Sequence, residues 1–271
     1  MSRVFVIAEA GIAHDGDLRK ALNLIDVARE AKADAVKFQT FNAQKLAARR
    51  KSPDLFTKLK PYEMPVAWLP ILKDHCDKAG IEFMTTCFDE ETVRIVAPFV
   101  KRFKIGHGES GDFEFVRAHC GYGKEIIASF VRGCGRPAAI NLKHLYVTTS
   151  YPTPLEDVRL EEMVERRSHG FSDHTREVLM GSWAVAAGAK IIEVHFMLWE
   201  THKDNPDRCV SLAPMELIRY VDLVRLTEVA VYGAASEETK KLVRPGSAPH
   251  TSHPQGSGES DPPAYHPAVE P

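Results

Sequence analysis

The sequence predicts an α/β protein of eight strand–helix units, a (β/α)8 or TIM barrel, and three observations carry that expectation. Short apolar runs alternate with longer amphipathic stretches almost from the first residue. There are eight such runs, and polar side chains gather at or near the C-terminal end of nearly every one. In a parallel barrel those ends share one mouth, where active sites lie; a scattered solvated surface would not space its polar residues so regularly. An open doubly wound sheet is the rival, but no GxGxxG follows the first run.

The first run, VFVIAEAG (4–11), carries Glu9 and leads into DLRKALNLIDVAREAKA (17–33), where Leu18, Ala21, Leu22, Ile25, Ala28 and Ala31 form one apolar stripe. DAVKFQTF (34–41) carries Lys37 and Gln39. A helical stretch, WLPILKDHCDKAG (68–80), closes on Gly80 before IEFMTTCF (81–88), which carries Thr86 and is followed by EETVRIVAPF (90–99). RFKIGHGE (102–109) brings Lys104, His107 and Glu109, and KEIIASF (124–130) brings Ser129. HLYVTTSY (144–151) ends on Tyr151, where YPTP makes a turn because each proline restricts the residue before it. LEDVRLEEMVERR (155–167), HGFSDHT (169–175) and VLMGSWAVAAGA (178–189) follow. IIEVHFML (191–198) is the eighth run, and PMELIRYVDLVRLTEVAVYG (214–233) ends the series with Gly233 as a C-cap.

Two stretches break the pattern. Between Ser129 and the sixth run, Gly133, Gly135 and Pro137 leave little room for a crossover helix, so a shortened or irregular fifth unit is expected. The barrel is expected over residues 1–235. Residues 236–271 read as a polar tail, disordered in its Pro-, Gly-, Ser- and His-rich part (245–271).

Composition narrows the function. With 35 Lys+Arg against 37 Asp+Glu, the chain has no basic footprint for nucleic acid or an anionic membrane, so anion binding must be local. Five cysteines without CxxC spacing, no signal-peptide pattern and no run of about 18 apolar residues suggest a cytoplasmic protein.

The chemistry is read from strand alternation. Ser172 and His174 share one face of their run, and Glu193 and His195 share one face of theirs. Two imidazoles beside a carboxylate suit a divalent metal, although a lone histidine is ordinarily a hydrogen-bonded core residue. Lys37 and Lys104 sit within apolar runs, where lysine is almost never buried unpaired. Either they form internal salt bridges to Glu9 and Glu109, or they clamp a phosphate and a carboxylate. Glu9 and Glu109 suit acid–base work or partnership with those lysines. Thr86, Ser129 and Ser172 suit phosphate hydroxyl donors or plain strand-end caps. Asp207, in the loop after the eighth run, can face a metal or a substrate.

Seven segments in order, IAEAGIAHDGD (7–17), ADAVKFQTF (33–41), FKIGHGE (103–109), YPTPLEDVRL (151–160), FSDHT (171–175), AAGAKIIEVHF (186–196) and NPDRCVSLAPMEL (205–217), resemble the N-acetylneuraminate (sialic acid) synthase family, which includes pseudaminate, legionaminate and spore-coat polysaccharide synthases. The resemblance spans about residues 3–233. It implies a transferase that condenses phosphoenolpyruvate with an aldose or related aldehyde, giving a 2-keto-3-deoxy sugar acid and phosphate. It implies phosphoenolpyruvate contacts at Lys37, Thr86, Lys104, Ser129 and Ser172, and metal ligands (Mn2+, Mg2+ or Co2+) at His174 and His195. Glu9, Glu109, Tyr151 and Glu193 then meet the sugar or the reacting centre, and a homodimer is implied. His107 stands where the family usually has a serine phosphate donor, and AHDGD replaces NHNGD. The expected C-terminal antifreeze-like domain has no counterpart in the polar tail. A non-catalytic sugar-binding paralogue and a metal-dependent aldolase are the alternative readings.

Overall fold

The structure, a computed structural model, describes residues 3–131 and 141–233. The expected irregular fifth crossover and the polar tail fall largely or wholly outside the described residues.

Eight parallel strands close into a barrel in sequence order: β1 (Phe5–Gly11), β2 (Ala35–Thr40), β3 (Glu82–Cys87), β4 (Arg102–Ile105), β5 (Glu125–Phe130), β6 (Leu142–Val147), β7 (Gly170–Asp173) and β8 (Ile191–His195), with β8 paired back onto β1. The helices of the described residues are α1 (Leu18–Glu30), α2 (Ala43–Arg49), α3 (Pro53–Leu59), α4 (Leu69–Ala79), α5 (Glu90–Val96), α6 (His107–Ser110), α7 (Phe113–Cys120), α8 (Leu160–Glu165), α9 (Met180–Ala186) and α10 (Pro214–Tyr232). Their starts follow from local capping. Asp17, Asn42, Asp89 and Asp112 are extended and accept the backbone N–H of Arg19, Lys45, Thr92 and Phe115, satisfying donors that the first helical turn leaves free. Gly80 and Gly233 end α4 and α10 in the left-handed conformation.

Two features depart from the expectation. The β2–β3 connection carries α2 and α3 ahead of the expected helix, and α2 ends at the mouth with Arg50. Several runs also stop being strands earlier than their apolar character suggests. β4 ends at Ile105, so His107 and Glu109 ride on α6; β6 ends at Val147, so Tyr151 lies on the following loop. Gly106 and the YPTP prolines turn the chain there.

The strand period of two sorts the barrel interior into levels. At the bottom, Arg102 pairs with Glu82 at 2.7 Å and Glu125 at 2.6 Å, and its guanidinium stacks 4.3 Å from the centre of the Phe5 ring. Above it Ile7, Ala35, Met84, Ile127, Leu145 and Ile191 pack into an apolar waist. Two residues further along these strands, where the alternation returns inward, come Glu9, Lys37, Thr86, Ser129 and Glu193. Lys104 follows Arg102, and Ser172 follows Gly170, in the same way. The outward positions, among them Val6, Val36, Phe38, Phe83, Phe103, Phe171 and Val194, join helix residues such as Leu24, Val93, Val116 and Leu217 in the main core. Gly170 has a local reason: a Cβ there would stand 1.8 Å from the Ile191 carbonyl oxygen, so β7 approaches β8 only without a side chain.

Candidate active site

The polar level forms a cavity of about 190 Å³ at the C-terminal mouth, and every site residue predicted from the sequence lines it except Asp207. Lys37 Nζ lies 2.8 Å from Glu9 Oε2, 3.7 Å from Glu193 Oε2, and donates to Thr86 Oγ1 at 2.9 Å. Lys104 Nζ donates to Ser129 Oγ at 2.8 Å and lies 3.2 Å from Glu193 Oε1, which also accepts Ser172 Oγ at 2.9 Å. The internal salt-bridge expectation therefore holds for Lys37 with Glu9 but not for Lys104 with Glu109. Lys104 pairs with Glu193, and Glu109 pairs with Arg50, because α6 carries Glu109 toward the β2–α2 side of the mouth.

Glu9, Lys37, Lys104 and Glu193 are nearly inaccessible to water, and burial costs each ionised form several kcal/mol unless it is compensated. The compensation is uneven. Burial pushes Glu9 up to about 7 against the pull of Lys37. Burial would also raise Glu193, but Lys104 and Lys37 together hold it down, at about 2. Burial lowers Lys104, opposed by Glu193 and helped by the charge of Lys37. Lys37 is raised, since Glu193 and Glu9 outweigh its burial. Glu193 is thus the fixed anion of the mouth, and Glu9 the carboxyl nearest to exchanging a proton at neutral pH.

On the β6–β8 side, the His174 and His195 ring centres are 5.4 Å apart, and the Tyr151 ring meets both edge-on at 4.9 and 5.7 Å. The Tyr151 hydroxyl donates to Asp207 Oδ1 at 2.8 Å. Asp207 stays behind the cavity wall: it accepts the Ile12 N–H at 3.2 Å and lies 3.8 Å from His195 Nδ1. Gly11 makes room for it, because at φ +52° a Cβ would fall 2.3 Å from Asp207 Oδ2. Burial lowers both histidines to about 3, with His195 adding to the effect at His174 and Lys37 at His195. Both are neutral at pH 7, with Nδ1 buried and without a hydrogen-bond partner among the described residues. Two orphaned neutral nitrogens fit a divalent cation as donors. Among the described residues no third His, Cys, Asp or Glu completes a ligand group, so water or substrate would supply the rest.

Sequence reasoning missed Arg50, Phe88, Gly106 and Gly108, all of which line the cavity. Arg50 caps the C-terminus of α2 and ion-pairs with Glu109. Phe88 packs edge-on against Phe41 at 5.8 Å. His107 stands 6.4 Å from His174, ring centre to ring centre, and is lowered by burial and by the charges of Lys104 and Arg50. Arg50 sits in AARRK, a basic run on a short helix, which reads as a solvated face.

Buried charge on this scale is retained where chemistry needs it, and at the C-terminal mouth of a closed barrel it defines an enzyme that handles a small anionic substrate. Comparison with known proteins narrows that class. A profile of the NeuB family matches residues 24–236. The N,N'-diacetyllegionaminic acid synthase of Legionella pneumophila is 32% identical over 84% of this chain and 73% of its own, and the human N-acetylneuraminate-9-phosphate synthase is 30% identical over 88% and 73%. Among solved structures, the N-acetylneuraminic acid synthetase of Leptospira borgpetersenii, in complex with citrate, superposes with a TM-score of 0.76 at 27% identity, covering 89% of this chain and 90% of its own. The spore coat polysaccharide biosynthesis protein SpsE of Bacillus subtilis gives 0.71 at 31%, covering 88% and 73%. The chain belongs to the NeuB family, and like its named relatives it is a synthase-type transferase. Among the described residues no helix is long and apolar enough to cross a membrane.

Proposed function

We propose that the protein condenses phosphoenolpyruvate with an aldose or related aldehyde, releasing phosphate and forming a 2-keto-3-deoxy sugar acid of the nonulosonic type. It would work as a cytoplasmic homodimer with a divalent ion (Mn2+, Mg2+ or Co2+) held by His174 and His195. One observation carries the reading: two buried lysines face each other across Glu193, with the hydroxyls of Thr86 and Ser129 at their tips and that of Ser172 on Glu193. That cradle suits a ligand with phosphate and carboxylate groups close together.

In this reading Lys37 and Lys104 bind the anionic donor and fix its methylene carbon at near-attack distance from the aldehyde carbon. A new C–C bond forms between those carbons, water adds to C2, and the C–O bond to phosphate breaks. The divalent ion, when bound, would stabilise negative charge developing on the aldehyde oxygen. Glu9, near pH 7 in its proton affinity, suits the proton transfers of these steps. Glu193 keeps its charge and orients the lysines; Tyr151, braced by Asp207, walls the aldehyde side together with Gln39, and Glu109 faces Arg50 at the rim. The experiment is a phosphate-release assay over a panel of aldoses. His195→Ala is expected to lose the metal and turnover yet bind phosphoenolpyruvate, and Lys104→Ala to lose phosphoenolpyruvate yet keep the metal. Full phosphate release by both variants would refute the reading.

A further inference from the structure

We infer that Arg50 is a third substrate cation, taking the phosphoryl group of the phosphorylated donor together with His107 and Lys104; this rests on the phosphoenolpyruvate reading above. Arg50 comes from outside the strands, yet it lines the same cavity as Lys104 and His107. Its guanidinium lies against α6 at Gly108, and the glycine permits this: a Cβ there would meet Nη2 at 2.1 Å. Of its five N–H donors, among the described residues only one is engaged, by Nη2 on Glu109.

The three cations differ in access. The side chains of Lys37 and Lys104 are 3% and 2% exposed, whereas that of Arg50 is 42% exposed above a Glu109 that is 2% exposed. Phosphate is the group that must leave, and Arg50 is the cation on its way out. Charge leads to the same residue. The cavity holds Lys37, Lys104 and Arg50 against Glu9, Glu109 and Glu193, so an incoming polyanion must take a cation from a carboxylate. The Arg50–Glu109 pair is the most exposed of these and the easiest to exchange. A guanidinium fork also matches phosphate oxygens in a way an ammonium does not. His107 lines the same cavity and feels the charges of Lys104 and Arg50, and its ring can supply a further donor to an anion held there. Glu109 is then a placeholder that the phosphate displaces.

Calorimetry with phosphoenolpyruvate alone, without aldehyde, tests this. Arg50→Gln should weaken binding about tenfold or more, and Arg50→Lys should recover part of it. Glu109→Gln, which frees the guanidinium, should bind phosphoenolpyruvate as well as wild type or more tightly. Unchanged binding by Arg50→Gln overturns the inference. So does a Glu109→Gln variant weakened as much as Arg50→Gln, since Arg50 would then act only as a partner of Glu109. If Arg50→Gln does not fold, arginine-directed labelling of the wild type by phenylglyoxal, mapped by mass spectrometry, decides: phosphoenolpyruvate should protect Arg50, and unprotected labelling overturns the inference. A wild type that binds no phosphoenolpyruvate would instead sink the functional reading.

Discussion

Lys104 and Glu193 stand on opposite walls of the barrel, β4 and β8, yet their charged atoms meet at 3.2 Å. The ion pair spans the lumen. With Lys37 at 3.7 Å on its other oxygen, one carboxylate is shared by two buried ammonium groups. The mouth is therefore pinned across its diameter as well as around its rim.

That sharing makes Glu193 the costliest side chain of the site to neutralise. Glu193→Gln leaves Lys104 without its carboxylate, and breaking a buried pair on one side typically costs about 3–5 kcal/mol. Urea unfolding should show a loss of that size, partly restored in a Glu193→Gln, Lys104→Met double variant. A loss under about 1 kcal/mol would mean that water reaches the lysines.

Stability should also carry a pH signature. Glu9 is raised from 4.5 to about 7 and Asp173 from 3.8 to about 6, both chiefly by burial. In the window between the unfolded and folded values the native state holds protons that the unfolded chain has released. The contribution of these two carboxyls therefore falls as pH rises through that window. Glu193, depressed to about 2, acts the other way but only in acid: its contribution is present above its unfolded value and lost as pH falls through 2. Three buried histidines oppose these carboxyls and outnumber them: His174 and His195, lowered to about 3, and His14, lowered to about 4, refuse protons that the unfolded chain binds up to about 6.5. Between pH 5 and 6.5 the wild type should therefore gain stability, and Glu9→Gln, which removes an opposing group, should steepen the gain. An equal slope in both would exclude a raised Glu9.

Tyr151 separates two contributions. Tyr151→Phe keeps the ring against His174 and His195 but removes the donor to Asp207 Oδ1, leaving a buried carboxylate short of a partner at about 1–3 kcal/mol. Its kcat/KM for the aldehyde should fall while phosphoenolpyruvate binding holds. Tyr151→Ala, which also removes the ring, should fall further; equal activities for the two would show that the ring contributes nothing.

Gly170→Ala places a methyl 1.8 Å from the Ile191 carbonyl oxygen and 2.6 Å from its carbon, backbone atoms that cannot rotate away. The variant is expected to be insoluble, or destabilised by more than about 3 kcal/mol in a thermal melt. Wild-type melting would show that β7 and β8 can part without breaking the barrel.

The sequence made the interior legible wherever alternation alone decides direction. Lys37, Thr86, Ser129 and Glu193 each follow an apolar inward residue by two positions, so their shared destination could be read directly. Partner choice was not readable in that way. Lys104 meets Glu193 across the lumen, and nothing in either segment records which opposite strand comes nearest. Arg50 was invisible for a different reason: a basic residue at the end of a short helix looks solvated until the helix is folded over the mouth. His107 and Glu109 were found as site residues but placed on a strand, because their helix is a single turn with little periodicity to read.

The apolar waist under the polar level has a kinetic consequence. Ile7, Ala35, Met84, Ile127, Leu145 and Ile191 close the lumen from below, with the Arg102 cluster beneath them, so among the described residues the cavity is a blind well open at the mouth. Traffic through that opening is last in, first out. The ligand that reaches the lysines has to enter before its co-substrate, and what remains of it can depart only after the upper position clears. Sequential order would thus be imposed by the floor of the barrel.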